Sequence, residues 1–221
     1  MEHIVKISEI KQVTHNVRSY RFEKPEGYKF EPGQATDVSI NKEGWTDEKR
    51  PFTFTSLNEW PFLEFTIKSY TDHKGVTNLL GQLQPGDELI ISDVWGAITY
   101  KGEGYFIAGG AGITPFIAIL RQLKKDGNVG GNHLFFSNKT SADIILKEEF
   151  DEILGSNAHY ILSEEEHPAY HHGKIDKAFL KAHITDLSKP IYVCGPDQMV
   201  KDITEFLEAL GAKPDSVVFE K

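Results

Sequence analysis

The segment Tyr105–Leu120, YFIAGGAGITPFIAIL, constrains the fold of this chain more than any other stretch. An apolar run from Tyr105 to Ala108 ends in Gly109-Gly110-Ala111-Gly112, then come Thr114, Pro115 and apolar residues at helical spacing. That order reads as a buried strand, a glycine turn and a helix start. Thr114 is expected to cap the helix with its hydroxyl, and Pro115 suits the first turn because its missing N–H would be unpaired there anyway. Glycines let the backbone approach a bulky anion, while the open N–H groups and the helix dipole attract negative charge, so a nucleotide phosphate is a natural occupant. The spacing is G-x-G-x-x-P rather than the G-x-G-x-x-G dinucleotide fingerprint, and a tight strand-to-helix connection needs the same residue types.

The rhythm of the chain changes near this segment. Before it, short runs rich in β-branched and aromatic residues (Ile4–Ile7, Val17–Phe22, Ala35–Ile40, Phe52–Thr55, Phe62–Lys68 and Glu88–Ile91) are separated by turn signals such as Glu31-Pro32-Gly33 and Gln84-Pro85-Gly86-Asp87. One short helix is expected over Val76–Leu83, and the six runs predict a small antiparallel barrel. After Gly104 strands at 105–109, 133–137, 158–162, 190–194 and 216–220 alternate with helices near 114–125, 146–154, 176–182 and 197–210. This alternation predicts a parallel sheet with helices on both faces. The expected fold is therefore two-domain: an antiparallel six-stranded β-barrel over residues 1–101 and an α/β parallel sheet over residues 102–221. The boundary falls near Tyr100–Gly104, and the junction is where a ligand would sit.

Composition excludes several functional classes. With 221 residues and 39% hydrophobic content the chain can bury ordinary globular cores. A mean hydropathy of −0.36 and the lack of a long apolar run argue against membrane insertion. The N-terminus shows strand-like alternation rather than the apolar block of a signal peptide, so a cytoplasmic location is expected. The net charge of −9 is spread over both halves, each with more acids than bases, which argues against a nucleic-acid partner. The single cysteine, Cys194, excludes internal disulfides, cysteine-rich zinc sites and a four-cysteine iron–sulfur cluster. Oligomeric state is left open.

Four short segments carry chemistry. Arg50-Pro51-Phe52-Thr53-Phe54-Thr55-Ser56 puts a permanent cation, an aromatic ring and hydroxyls in one strand. Alternation aims Arg50, Phe52 and Phe54 at one face and Thr53 and Thr55 at the other unless a bend intervenes. An ordinary barrel strand with a solvated arginine has the same composition. Gly75-Val76-Thr77 opens a helix and offers N–H groups and a hydroxyl to a second phosphate pair, or simply caps the helix. The glycine turn at 110–112 is the third. Ile191-Tyr192-Val193-Cys194-Gly195-Pro196-Asp197 is the fourth, placing the thiol at the carboxyl end of a strand, where open parallel sheets bind ligands. A buried cysteine packed as a small hydrophobe is the plainer reading of Cys194.

In this order the four segments resemble the ferredoxin–NADP reductase family across essentially the whole chain. Arg50 to Ser56 looks like its R-x-[YF]-[ST]-x-x-[ST] flavin motif and Gly75-Val76-Thr77 like its flavin-pyrophosphate motif. Gly110 to Pro115 looks like its pyridine-nucleotide turn, and Cys194-Gly195-Pro196 like its nicotinamide-side motif. The resemblance implies an FAD-binding barrel joined to an NAD(P)H-binding α/β domain, in which hydride passes from nicotinamide to flavin. It implies that Arg50 pairs with the flavin pyrophosphate, Phe52 lies against the ring system and Thr53 hydrogen-bonds near the atom that accepts hydride. Pro51 belongs to the same motif; Ile67, Lys68 and Tyr70 add flavin contacts, and Gly75, Val76 and Thr77 hold the pyrophosphate from the other side. Gly110, Gly112, Thr114 and Pro115 would cradle the nicotinamide nucleotide, with Cys194, Gly195, Pro196 and Asp197 around the nicotinamide. Thr53 and Cys194 are the two catalytic candidates, with Cys194 shaping the pocket rather than acting as a nucleophile, since no partner base is identifiable.

The resemblance departs at two places. The family more often has Tyr at Phe52, which removes a hydroxyl contact worth about 1 kcal/mol. Many relatives end in an aromatic residue covering the flavin, whereas this chain ends Val218-Phe219-Glu220-Lys221, with Phe219 one or two places early. Glu220 reads as an ordinary strand-end residue, with proton handling as the alternative. The segment Ser137–Asp143 resembles NADH-linked cytochrome b5 reductase-like members and favours NADH, while Lys139 and Lys174 keep NADPH open. His167, His171 and His172 read as solvated loop histidines and Glu164–Glu166 as a charged turn, so no metal site is expected. The expected acceptor is a separate flavodoxin, ferredoxin, oxygenase component or small oxidant. The alternative function is a non-catalytic flavin-binding electron-transfer or nucleotide-sensing subunit, distinguished by a blocked nicotinamide pocket or by nucleotide affinity without diaphorase activity.

Overall fold

The computed structural model describes residues 1–70, 75–96, 98–213 and 217–219. Among those residues the chain forms two six-stranded sheets. The first contains β1 (His3–Thr14), β2 (Val17–Glu23), β3 (Ala35–Ile40), β4 (Arg50–Thr53), β5 (Phe62–Lys68) and β6 (Glu88–Trp95), in the order β4-β3-β6-β1-β2-β5. All its pairings are antiparallel. An antiparallel bridge between Phe54 and Phe65 joins the two outer strands and closes the barrel, helped by the Thr55 N–H donating to the Glu64 carbonyl at 2.8 Å. Inward-facing Tyr20, Phe22, Phe54, Leu63, Phe65 and Leu89 fill the interior without exposure, as period-two alternation requires. A helix α1 (Val76–Leu80) packs Val76 and Leu80 into this core.

The second sheet holds β7 (Tyr105–Gly109), β8 (His133–Asn138), β9 (Ala158–Leu162), β10 (His171–His172), β11 (Ile191–Cys194) and β12 (Val217–Phe219), in the order β10-β9-β8-β7-β11-β12. Every pairing is parallel. Helices α2 (Thr114–Lys125) and α3 (Lys147–Leu154) cover one face, and α4 (Lys177–His183) and α5 (Asp197–Leu210) the other, burying two separate apolar clusters. Strand order reverses between β7 and β11, so the carboxyl ends of these two strands mark the topological switch point. The connection between the sheets is pinned rather than loose. The Tyr192 hydroxyl accepts from the Lys101 N–H at 2.8 Å and donates to the Gly102 carbonyl at 2.7 Å, and Tyr100, Phe106 and Tyr192 stack.

The predicted elements are present with local corrections. β1 runs seven residues beyond the expected Ile4–Ile7, because the polar stretch Ser8–Thr14 pairs with β2 through two register shifts. The strand expected over Phe52–Thr55 bends after Thr53, which is what lets Phe54 cross to Phe65. The helix expected to reach Leu83 ends at Leu80. His171 and His172, read as loop residues, form the short edge strand β10 beside Ile161 and Leu162. The readings placed on Glu220 and on the Phe219 ring fall outside the described residues. No helix among the described residues is long and apolar enough to cross a membrane.

One packing feature makes stability depend on pH. His133 on β8, His159 on β9 and His183 on α4 lie with ring centroids 6.0 and 5.9 Å apart between successive members, beside Phe135 and Phe179. Burial lowers the pKa of His133, with Lys189 adding to the effect and Glu103 opposing it. Burial, then the neighbouring His133 and His183, lowers that of His159. A histidine whose folded pKa lies below its unfolded value leaves stability unaffected at high pH and weakens the fold as pH drops through the unfolded value of 6.5. Melting temperature is therefore expected to fall between pH 7.5 and 5.5, and His159→Gln to flatten that slope; an unchanged slope in the variant overturns the assignment.

Candidate functional site

The switch point of the parallel sheet faces the outer wall of the barrel across a cleft of about 780 Å³. On the sheet side, β7 ends at Gly109 and the chain makes a 3₁₀ turn over Gly110–Ile113 before α2 begins. Gly110 has φ of +51°, which favours glycine, and a Cβ there would meet nothing within 4 Å, so its open side belongs to the cleft. Gly112 is required for a different reason. A Cβ on it would lie 2.6 Å from the Cys194 carbonyl carbon and the Gly195 nitrogen, and closer still to the Cys194 carbonyl oxygen. The two carboxyl-edge turns thus press backbone on backbone. Pro115 occupies the first turn of α2 as expected. The Thr114 hydroxyl does not cap the helix: it donates back to the Ala111 carbonyl at 3.1 Å, because the preceding 3₁₀ turn already places Ile113 in helical geometry.

On the barrel side the cleft is walled by Pro51, Phe52, Thr53, Ile67, Lys68 and Tyr70, with Thr77 at its rim. Phe52 is half-buried, its inner edge against the barrel core and a tilted contact with Phe65 at 6.0 Å. Thr53 is buried. Tyr70 is exposed, with the Lys68 ammonium 5.8 Å from its ring centroid. Gly110, Gly112, Thr114, Cys194, Gly195 and Pro196 complete the opposite side.

Five expected site residues do not line the cleft. Arg50 is exposed, donating to the Lys49 carbonyl at 2.6 Å and standing 3.6 Å from the Glu48 carboxylate. Val76 is buried in the barrel core and Pro115 in the sheet-side core, so neither side chain is available to a ligand. Gly75 sits at the N-terminal end of α1, and Asp197 lies exposed in the first turn of α5.

Other residues also enter the cleft: Thr66 and Trp95 from the barrel, Asn138 and Asp143 from the Ser137–Asp143 segment, and Ser163 and Met199 elsewhere in the sheet half. Among the described residues the buried side-chain polar atoms lacking a partner are Ser39 Oγ, Trp95 Nε1 and Asn138 Nδ2 and Oδ1, so all but Ser39 belong to cleft-lining residues. Buried polar groups are ordinarily satisfied, and this concentration marks the cleft as built for a polar ligand. Asn138, at the carboxyl end of β8, was legible as part of the segment after the second strand; Trp95 had no sequence signal. Beside Asn138, Lys139 is 2.9 Å from Glu164, which holds its ammonium above the ordinary lysine range. The Asp143 carboxylate accepts from the Thr140 N–H at 3.0 Å and from its hydroxyl at 2.7 Å.

An aromatic and hydroxyl-bearing barrel wall faces a glycine turn at a parallel-sheet switch point, so the cleft has room for a flat ring system on one side and a phosphate-bearing ligand on the other. The residues fit both groups: Phe52 offers a ring face, Gly110 an open backbone cradle, and Asn138 and Trp95 unspent hydrogen-bonding capacity.

The comparisons agree. Residues 4–100 match the oxidoreductase FAD-binding domain and residues 106–205 the oxidoreductase NAD-binding domain. The chain belongs to the ferredoxin reductase-like family of FAD- and NAD-binding oxidoreductases. It is 29% identical over 234 residues to the reductase component of propane 2-monooxygenase from Rhodococcus jostii (strain RHA1), covering 98% of this chain and 62% of that protein. It is likewise 29% identical over 226 residues to NADH-cytochrome b5 reductase 2 of Mycosarcoma maydis, covering 90% of this chain and 63% of that protein. The chain thus spans a little over three-fifths of these relatives' lengths. The fold is that of the FAD/NAD-binding domain of nitric oxide dioxygenase from Vibrio cholerae O1 biovar El Tor, with a TM-score of 0.87 and 18% identity over 98% of this chain and 97% of that one. A ferredoxin NADP+ reductase from Neisseria gonorrhoeae, solved with bound FAD and NADP, gives 0.83 and 21% over 95% and 92%.

The backbone contact at Gly112 is open to test. Gly112→Ala is expected to destabilise the chain by about 1–3 kcal/mol through overpacking, a melting shift of roughly 3–10 °C for a chain of this size. Gly110→Ala, opposed only by its positive φ, is expected to have the smaller effect. Thermal melts of the two variants check the order, and equal shifts would contradict it.

Proposed function

We propose that the chain is an FAD-dependent NAD(P)H reductase that hands electrons to a separate acceptor, with residues 1–101 holding the flavin and residues 102–221 the nicotinamide nucleotide. The observation that carries this reading is the shared cleft, in which Phe52 and Thr53 face the Gly110–Gly112 turn and the Cys194–Pro196 corner. Bound FAD supplies the chemistry, accepting two electrons as hydride and releasing them singly or in pairs. The chain supplies orientation. Phe52 presents a ring face and Thr53 a hydroxyl beside it, while Lys68, Tyr70, Thr77 and the N–H groups at Gly75 and Val76 bind the flavin's polar tail.

Gly110, Gly112 and Thr114, with Pro115 setting the helix start, hold the dinucleotide pyrophosphate. Cys194, Gly195 and Pro196, with Asp197 behind them, shape the nicotinamide pocket. Enclosure between the two walls excludes water and holds the reacting rings in register. Arg50 contributes a planar fork suited to phosphate oxygens once it leaves Glu48.

NADH is the favoured donor. Asp143 lines the cleft and suits a ribose diol, whereas Lys139, the cation beside it, is already paired with Glu164. A separate acceptor agrees with relatives named as a reductase component and as an NADH-cytochrome b5 reductase. An oxygenase component, ferredoxin, flavodoxin or small oxidant fits the reading, as does a cytoplasmic setting.

The purified protein is expected to be yellow or to take up FAD, and anaerobic NADH to bleach it faster than NADPH at equal concentration. A colourless protein that takes up no added FAD overturns the reading. Arg50→Ala is expected to weaken FAD binding by about 2 kcal/mol, roughly 30-fold in Kd, through loss of a charge-assisted contact. Cys194→Ala is expected to slow bleaching modestly while FAD stays bound, measured by stopped-flow absorbance.

A further inference from the structure

We propose that Arg121 is a positioning residue for electron transfer across the cleft: its guanidinium sets how the wall bearing Phe52 and Thr53 faces the turn at Gly110–Gly112. The inference rests on the reductase reading above, since it concerns the spacing of that reading's two ligands.

Arg121 lies seven residues after the cleft-lining Thr114, about 10 Å along α2. Its NH1 donates to the Thr55 carbonyl at 2.6 Å and to the Glu64 carboxylate at 2.8 Å, both on the barrel. Thr55 follows Thr53 by two residues, just past the bend that ends β4. Through Nε and NH2 the same guanidinium grips the Glu149 carboxylate on α3 at 2.5 and 2.8 Å. Its side chain is 13% exposed, and Glu64 beneath it is 4% exposed. The network continues towards the cleft: the Thr55 hydroxyl donates to Glu64 at 3.1 Å, and the cleft-lining Thr66 donates to Thr55 at 3.2 Å. Arg21 takes the other oxygen of Glu64 at 2.9 Å.

The other hydrogen bonds between the halves, from Tyr192 to Lys101 and Gly102 and from Asn132 to Tyr100, act at the linker, and the contacts beside Arg121 are weaker in direction. Val17 and Ile98 pack in one cluster with Phe116 and Ile119 of α2, and apolar contact is not directional. The Lys125–Glu59 pair is exposed and the His15–Asp143 pair is 3.8 Å long, so both are weak. A planar charged fork that engages three acceptor groups, Thr55, Glu64 and Glu149, is directional. It joins two rigid elements whose near ends are the opposite walls of the cleft, so a tilt at the fork becomes a displacement where the ligands meet. Reaction rates are sensitive to displacements on the order of 1 Å, about 100-fold.

The test uses Arg121→Lys, which keeps the charge but not the fork, and the double variant Arg121→Met with Glu64→Gln, which removes the most deeply buried pair of charges and leaves Glu149, 28% exposed, in reach of water and Arg21 paired with Glu9. Both are expected to bind FAD and NADH within about threefold of the unaltered protein and to melt near it. At saturating NADH their flavin is expected to bleach at least tenfold more slowly. In hydrogen exchange without any ligand, amides in 52–56 and 110–114 are expected to exchange at least tenfold faster, while those in β2 and β7 keep their protection. Bleaching within twofold of the unaltered protein overturns the proposal, as does exchange confined to its normal rate. A double variant that loses FAD or protection throughout assigns Arg121 a purely structural role and also overturns it. Failure of the unaltered protein to bind FAD or to bleach instead overturns the reductase reading, and the ligand-free exchange still decides whether Arg121 holds the two walls.

Discussion

The cleft exists because two backbone turns at the carboxyl edge of the parallel sheet touch without side chains between them. Gly112 lies against the Cys194 carbonyl and the Gly195 nitrogen, so the glycine turn after β7 and the corner after β11 share one floor. Gly109, where a Cβ would run into Pro196 and Met199, belongs to the same close approach. Any larger residue at these positions lifts α2 or α5 off the sheet edge. That change would alter the depth of the cleft and the place of Pro196 and Met199 at its wall. The contact is purely steric.

The barrel meets this edge through a face that is polar yet buried. β5 alternates Leu63, Phe65 and Ile67 into the barrel interior with Glu64 and Thr66 on the outside, and both outward residues are nearly fully buried, Glu64 beneath Arg121 of α2. Burial works against the Arg121 charge, and hydrogen bonding to Glu149 followed by attraction to Glu149 and Glu64 more than offsets it, keeping the group above the ordinary arginine range. An isolated buried carboxylate at Glu64 would be severely penalised. Two arginines and a threonine hydroxyl satisfy it instead.

Local order was legible in the sequence because it depends on neighbours in the chain. The strand, turn and helix at Tyr105–Lys125, the alternating barrel strands and the corner at Cys194–Pro196 each carry their own signal of periodicity or glycine placement. Tertiary order was not. Glu64 and Thr66 sit where alternation points to solvent, yet both are buried, Glu64 beneath Arg121 of α2. Ser8–Thr14 lacks the apolar pattern of a strand and is held by pairing with β2. Thr114 follows a helix-start pattern, yet the 3₁₀ turn before it takes over the geometry that a cap would have supplied. Trp95 enters the cleft because of where β6 ends, a property of the fold rather than of its neighbours in the chain.

Buried ion pairs add little net stability compared with apolar residues of similar volume, because desolvation consumes most of the attraction. Their occurrence between two otherwise self-sufficient cores therefore calls for another physical role. Each half here has its own apolar cluster, and Val17 and Ile98 already join the barrel to the sheet half by burial. What burial cannot supply is an angle, since sliding one apolar surface over another changes its energy slowly. The Arg121 fork supplies a steep angular preference at low net stability. In the proposed reductase, electron exchange between ligands on opposite walls would need that combination: halves that hold together firmly, and a single relative orientation in which the rings meet.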